Sequence, residues 1–115
     1  MEELKALTEE LLLLNKQLSE RYQLARETGE KGDFYKEVKP FADKVKKVSE
    51  LWEVAVKEWI IEKKPKYIHF PQVIHTIENL ELVSVQAFFP ETSYKRFVSY
   101  IQSIDYVLHA VLEEI

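Results

Sequence analysis

The stretch Lys63-Lys64-Pro65-Lys66-Tyr67-Ile68-His69-Phe70-Pro71 decides how this chain folds. Proline lacks a backbone N–H and its ring crowds the preceding turn, so no helix runs unbroken through Pro65 and Pro71. Helical patterns lie on both sides of the stretch, and the second half of the chain must therefore turn back along the first.

Upstream, Phe34, Val38, Phe41, Val45, Val48, Trp52, Ala55, Val56 and Trp59 recur at steps of three and four, with lysines and glutamates on the other face. This spacing predicts an amphipathic helix. Pro40 interrupts it, which predicts either a separate short helix over 33–39 or a kink. Trp52 and Trp59 lie two turns apart on one face and are expected to fill a core rather than to stack on a ligand. Downstream, Pro71 suits the first position of a helix carried to about Phe88. Val73, Ile74, Ile77, Leu80, Val83, Ala87 and Phe88 cluster on one side, with Ser84 among them, and His75, Glu78, Asn79 and Gln86 lie opposite.

The sequence Phe89-Pro90-Glu91-Thr92-Ser93 ends that helix, and Thr92 or Ser93 can cap a last one. Its inward stripe reads Tyr94, Phe97, Val98, Ile101, Ile104, Leu108, Val111, Leu112 and Ile115. At the other end of the chain, Leu4, Leu7, Leu11, Leu14, Leu18, Tyr22 and Ala25 mark a first helix from Glu2 to about Glu27. Leu12, Leu13 and Leu24 fall off its stripe. They are expected to be covered by a neighbouring helix or a second copy of the chain, or to stay as scattered exposed residues. Gly29 and Gly32 suit a helix C-cap and its connector, and Asp33 can cap the next helix through its carboxylate.

A chain of 115 residues, 46% hydrophobic and 31% charged, is sized for one compact domain spanning 1–115. Two glycines and four prolines are too few for a many-stranded sheet. Four amphipathic helices with short connectors predict an all-α, up-down-up-down antiparallel four-helix bundle.

The net charge of −4 is split as −3 over 1–30, +3 over 31–66 and −4 over 67–115. No basic stripe of the kind that binds nucleic acid stands out. Lys63, Lys64 and Lys66 are interleaved with Glu58 and Glu62 and read as a solvated helix end. Nucleic acid is therefore not the expected partner. The absence of cysteine excludes disulfides and thiolate metal sites. Met1-Glu2-Glu3 is opposite to a basic signal-peptide start, and Leu11 to Leu14 is far too short to cross a bilayer. A cytoplasmic protein without a membrane partner is expected.

Lys64-Pro65-Lys66-Tyr67-Ile68-His69, Asn79-Leu80-Glu81-Leu82-Val83, Lys95-Arg96-Phe97 and Tyr106-Val107-Leu108-His109-Ala110-Val111 resemble the YppE-like family of Gram-positive bacterial proteins, a family of unknown function. Arg21-Tyr22, Asp33-Phe34, Lys39-Pro40 and Leu51-Trp52 extend the likeness over nearly the whole chain. The resemblance implies a small cytosolic four-helix bundle and carries no assigned activity or functional residues.

Chemistry-bearing side chains gather toward one end of the expected bundle. Asp105 and His109 are neighbours on one helical face, with Asp105 on the flank of an apolar stripe and expected to be half-buried. Tyr67 and His69 sit in the proline-bracketed turn nearer the pole, and Tyr106 is a further hydroxyl. A polar pocket of Tyr67, His69, Asp105 and His109 for a small anionic ligand or general-base chemistry is one reading. Mutual satisfaction of these groups at a pinned bundle end is the other, and is preferred. His75 with Glu78 and His109 with Glu113 do not make the ligand pattern of a di-metal bundle, so neither metal nor cofactor is expected. The preferred function is a non-catalytic interaction or scaffold module that meets a protein partner or a second copy. The alternative is a small-molecule binder or enzyme at the polar pole.

Overall fold

The computed structural model describes residues 2–115, and among these no strand occurs. The helices are α1 (Glu2–Thr28), α2 (Lys39–Lys63), α3 (Phe70–Gln86) and α4 (Tyr94–Glu114), with a π-helical turn at Phe34–Val38 before α2. Helix α1 packs on α2 and α4, and α3 packs on the same two, so α1 and α3 face each other across the diagonal. The result is the expected up-down-up-down bundle, 46 Å long.

Each terminus has a local cause. Helix α1 stops where Gly29 takes a left-handed φ of 72° and donates its N–H to the Ala25 carbonyl at 2.8 Å. Gly32 is needed for a different reason: its N–H donates to the Phe88 carbonyl at 2.8 Å, and a Cβ there would come within 2.9 Å of the Phe88 Cβ. Asp33 then caps the π turn, its carboxylate accepting from the Lys36 N–H at 2.8 Å. The Val38 N–H reaches five residues back to the Asp33 carbonyl. The interruption predicted at Pro40 thus takes the form of a wide turn that flows into α2, with the proline placed in the first turn of α2.

The stretch from Lys63 to Pro71 reverses the chain as its prolines require. Lys64 adopts a left-handed φ of 48° and its N–H closes on the Ile60 carbonyl. The Glu114 carboxylate, at the far end of α4, accepts from the N–H groups of Lys66 at 2.8 Å and Tyr67 at 3.0 Å. Ile68 plugs into the core as a fully buried residue, a role its sequence position did not announce. Helix α3 begins with the Gln72 side chain reaching back to the His69 N–H at 2.7 Å and with Pro71 in its first turn. Ser93 caps α4 by accepting from the Arg96 N–H.

The stripes converge on one interior that holds Leu4, Leu11, Leu14, Leu18, Tyr22, Trp52, Trp59, Leu80, Phe97, Ile104 and Leu108. Among the expected core residues, Phe34, Ile74, Tyr94 and Ile115 are instead exposed. Each lies at the edge of its stripe, toward a helix end or beside the π turn; Tyr94 is met only from one side, by Tyr22 and Arg26 of α1. Val107 and Thr76 are buried in their place. Of the off-stripe leucines, Leu12 packs against the core while Leu13 and Leu24 remain about half exposed. No described helix is long and apolar enough to cross a membrane.

Candidate functional site

The four polar residues singled out from the sequence occupy two surfaces. Tyr67 and His69 are exposed on the α2–α3 connector, where the Lys66 ammonium lies 5.4 Å from the Tyr67 ring centroid. Asp105 and His109 lie along α4, facing the groove between α4 and α1. His109 Nδ1 is 3.0 Å from the Asp105 carbonyl oxygen and 3.3 Å from its Oδ2. An Nδ1–H tautomer donates into this local cradle and leaves Nε2 turned to solvent. The Asp105 side chain is 53% exposed, so the half-buried carboxylate expected from its flank position is a solvated one. A polar end pocket shared by all four residues does not form.

What the structure gathers around Asp105 and His109 comes from α1. Asn15, Lys16 and Ser19 line a groove of about 440 Å³ with them, over Leu12, Leu13 and Ile101. Asn15 is buried; its Nδ2 donates to the Ile101 carbonyl at 3.1 Å, and its Oδ1 has no partner within the described residues. Among the described residues no three His, Asp or Glu side chains come together in a way that could hold a metal ion.

A larger concavity lies between α1, the π turn and α2. It has a volume of about 600 Å³, with Leu24, Pro40, Phe41 and Phe88 as an apolar floor and Glu20, Arg21, Lys36, Glu37 and Lys44 as the charged residues around it. Arg21 is fixed from two directions. Its Nε donates to Glu37 Oε2 at 3.1 Å, and its guanidinium carbon lies 5.1 Å from the Phe88 ring centroid. Phe88 in turn meets Phe41 edge-on at a centroid distance of 6.0 Å. One guanidinium nitrogen, Nη1, is buried without a hydrogen-bond partner among the described residues. Sequence periodicity assigned Phe41 and Phe88 to core stripes and could not foresee that Arg21 would lie over Phe88 beside them, because the three residues are far apart along the chain. The sole advance signal was Leu24, a leucine off its stripe.

The family model for a bacterial domain of unknown function, DUF1798, matches residues 8–115. The chain belongs to the DUF1798 family. The uncharacterized protein YppE of Bacillus subtilis (strain 168) is 31% identical over 110 residues, covering 95% of this chain and 89% of YppE. A crystal structure of a Listeria innocua protein of unknown function superposes with a TM-score of 0.92 at 33% identity, covering 96% of this chain and 89% of that one. The DUF1798 protein MW1337 of Staphylococcus aureus gives 0.85 at 27% identity, covering 96% of this chain and 94% of its own. The likeness to the YppE-like family drawn from short motifs is therefore a relationship over the whole DUF1798 fold.

Proposed function

We propose that this DUF1798 bundle is a non-catalytic interaction module of the cytoplasm, and that it binds an amphipathic, acidic segment of a partner protein in the groove between α1, the π turn and α2. The observation that supports this reading is the make-up of the groove, an apolar floor of Leu24, Pro40, Phe41 and Phe88 beside Lys36 and Lys44. Neither lysine is in an ion pair among the described residues. Apolar anchors in a concavity carry most of the binding energy of such contacts, and surrounding charges choose the partner's sign. The groove is also framed by rigid pieces, because Arg21 ties α1 to the π turn through Glu37.

The test is co-purification from the native bacterium with the wild type and with Leu24→Glu, a change at a half-exposed position that leaves the core alone. A partner retained by the wild type and lost by Leu24→Glu, and weakened by Lys36→Glu, is the expected outcome. An identical set of captured proteins for all three would overturn the reading.

A second reading rests on the unpartnered Oδ1 of buried Asn15 beside Lys16, Ser19 and the Asp105–His109 pair. An unpartnered amide oxygen beside a carboxylate calls for a ligand that donates, the hydroxyl or amine of a polar metabolite. Titrating ethanolamine and glycerol against isotope-labelled protein tests it: amide shifts confined to 15–19 and 105–109 are expected, and a flat response would dismiss this site.

A further inference from the structure

Helix α2 carries a second pattern on the side turned away from Trp52. Leu51, Val54 and Ile61 are 49%, 60% and 68% exposed, although they belong to the most apolar residue types. With Lys44, Lys47 and Glu58 they fall at alternating steps of three and four, 44-47-51-54-58-61, the heptad spacing of a coiled-coil seam. The seam drifts by about 20° per heptad on a straight helix, so over these residues it stays on the outward side. Its three charged members are exposed, and none of them is in an ion pair among the described residues. The neighbouring charges Lys39 and Asp43, and Glu53 and Lys57, are by contrast already paired along the helix.

We infer that this face of α2 docks against α2 of a second copy of the chain, antiparallel, about a two-fold axis that passes between Trp52 and Glu53. Orientation and register are set by charge. Run parallel, the two seams would set Lys47 against Lys47 and Glu58 against Glu58, repelling at both ends. Run antiparallel about that axis, the layers become Leu51 on Val54, Lys47 on Glu58, and Ile61 on the aliphatic stem of Lys44, each occurring twice. Glu62, exposed and next to Ile61, then reaches the Lys44 ammonium of the other copy. Lys47 and Glu58 meet across the seam, Lys44 is met by Glu62 at its flank, and the two Leu51–Val54 layers fall at the centre, where water is best excluded. The contact is isologous and closes on itself, so the assembly ends at a dimer.

One helix per protomer places this contact at the small end of specific interfaces, so the dimer forms and dissociates with concentration. It borders the groove over Phe41 and Phe88 at Lys44, which lines both; Leu24 and Lys36 belong to the groove alone and Val54 and Ile61 to the seam alone, so either can fail without the other.

Sedimentation equilibrium on the full chain is the first test. The average mass should rise from 13.7 kDa toward twice that value as concentration increases. Val54→Glu, at an exposed position, should hold the monomer with an unchanged circular dichroism spectrum. Lys47→Glu alone and Glu58→Lys alone should each weaken association, and the double charge reversal should restore it. Register is read by cysteine cross-linking, which is clean because the chain has no cysteine of its own. An equimolar mixture of Leu51→Cys and Val54→Cys should oxidise to the mixed dimer faster than either variant alone. Monomer throughout, up to roughly 1 mM, where an interface of millimolar Kd would be substantially filled, would overturn the inference. So would a dimer indifferent to Val54→Glu, no recovery in the double reversal, or faster cross-linking of Leu51→Cys with itself.

Discussion

Thr8 shows how a single polar residue comes to be buried. It sits beside the leucine stripe of α1 and is fully buried, with its Oγ1 donating to the Leu4 carbonyl at 2.7 Å and accepting from the Trp52 indole N–H at 3.0 Å. A buried indole needs an acceptor, and Thr8 is the one it has. Thr8→Val keeps the shape and removes that acceptor, so it should cost about 1–3 kcal/mol in urea unfolding. Thr8→Ser, which keeps the hydroxyl, should lose less than Thr8→Val; the reverse order would show that methyl packing matters more than the hydrogen bond. Trp52 was legible as a core residue because its spacing matches the stripe. Thr8 was not, since periodicity registers apolar types and is blind to a polar residue whose partner lies on another helix. Phe34, Ile74, Tyr94 and Ile115 err the other way, since a stripe names a face but not how far the neighbouring helix extends over it.

At the scale of elements, the connectors were better determined than the faces. The prolines at 40, 65, 71 and 90 mark every break between helices after α1, and Gly29 ends α1 itself. What closes the α2–α3 reversal, however, is Glu114, which accepts two backbone N–H bonds from a segment far away in sequence. Glu114→Ala should free the Lys66 and Tyr67 amides, raising their hydrogen exchange while α1 and α3 interior amides stay protected, and should cost about 1–3 kcal/mol. Unchanged exchange at both amides would remove this role. Gly32→Ala probes the opposite connector. Its Cβ would press on a buried Phe88 from under 3 Å, and a loss of about 1–3 kcal/mol in denaturant unfolding is expected. Phe88 is held in turn by Gly32, Phe41 and Arg21, so the same change should also disturb the groove.

For the whole molecule, the four helices share one interior in which both tryptophans are buried, Trp52 against Thr8 and Trp59 within the same cluster. A single core of this kind unfolds in one cooperative step. Tryptophan fluorescence and far-ultraviolet circular dichroism should therefore give superimposable urea transitions, and separated midpoints would mean that one helix pair holds together without the other. In the same architecture the groove and the outer face of α2 adjoin at Lys44, while Leu24 and Lys36 lie only in the groove and Val54 and Ile61 only on the outer face.

The bundle itself was determined by the sequence, because amphipathic period, caps and prolines are local properties and each points to the same four helices. The two grooves and the fate of the polar residues were decided only by tertiary structure. Arg21, Phe41 and Phe88, like Asn15 and Asp105, are far apart along the chain, and their meeting depends on how helices rotate and overlap when they pack. Spacing within one helix contains no record of that rotation. For this reason Tyr67 and His69, read together with Asp105 and His109, ended on a different surface, while the seam of α2, contained within one helix, could be recognised once the core had claimed its other side.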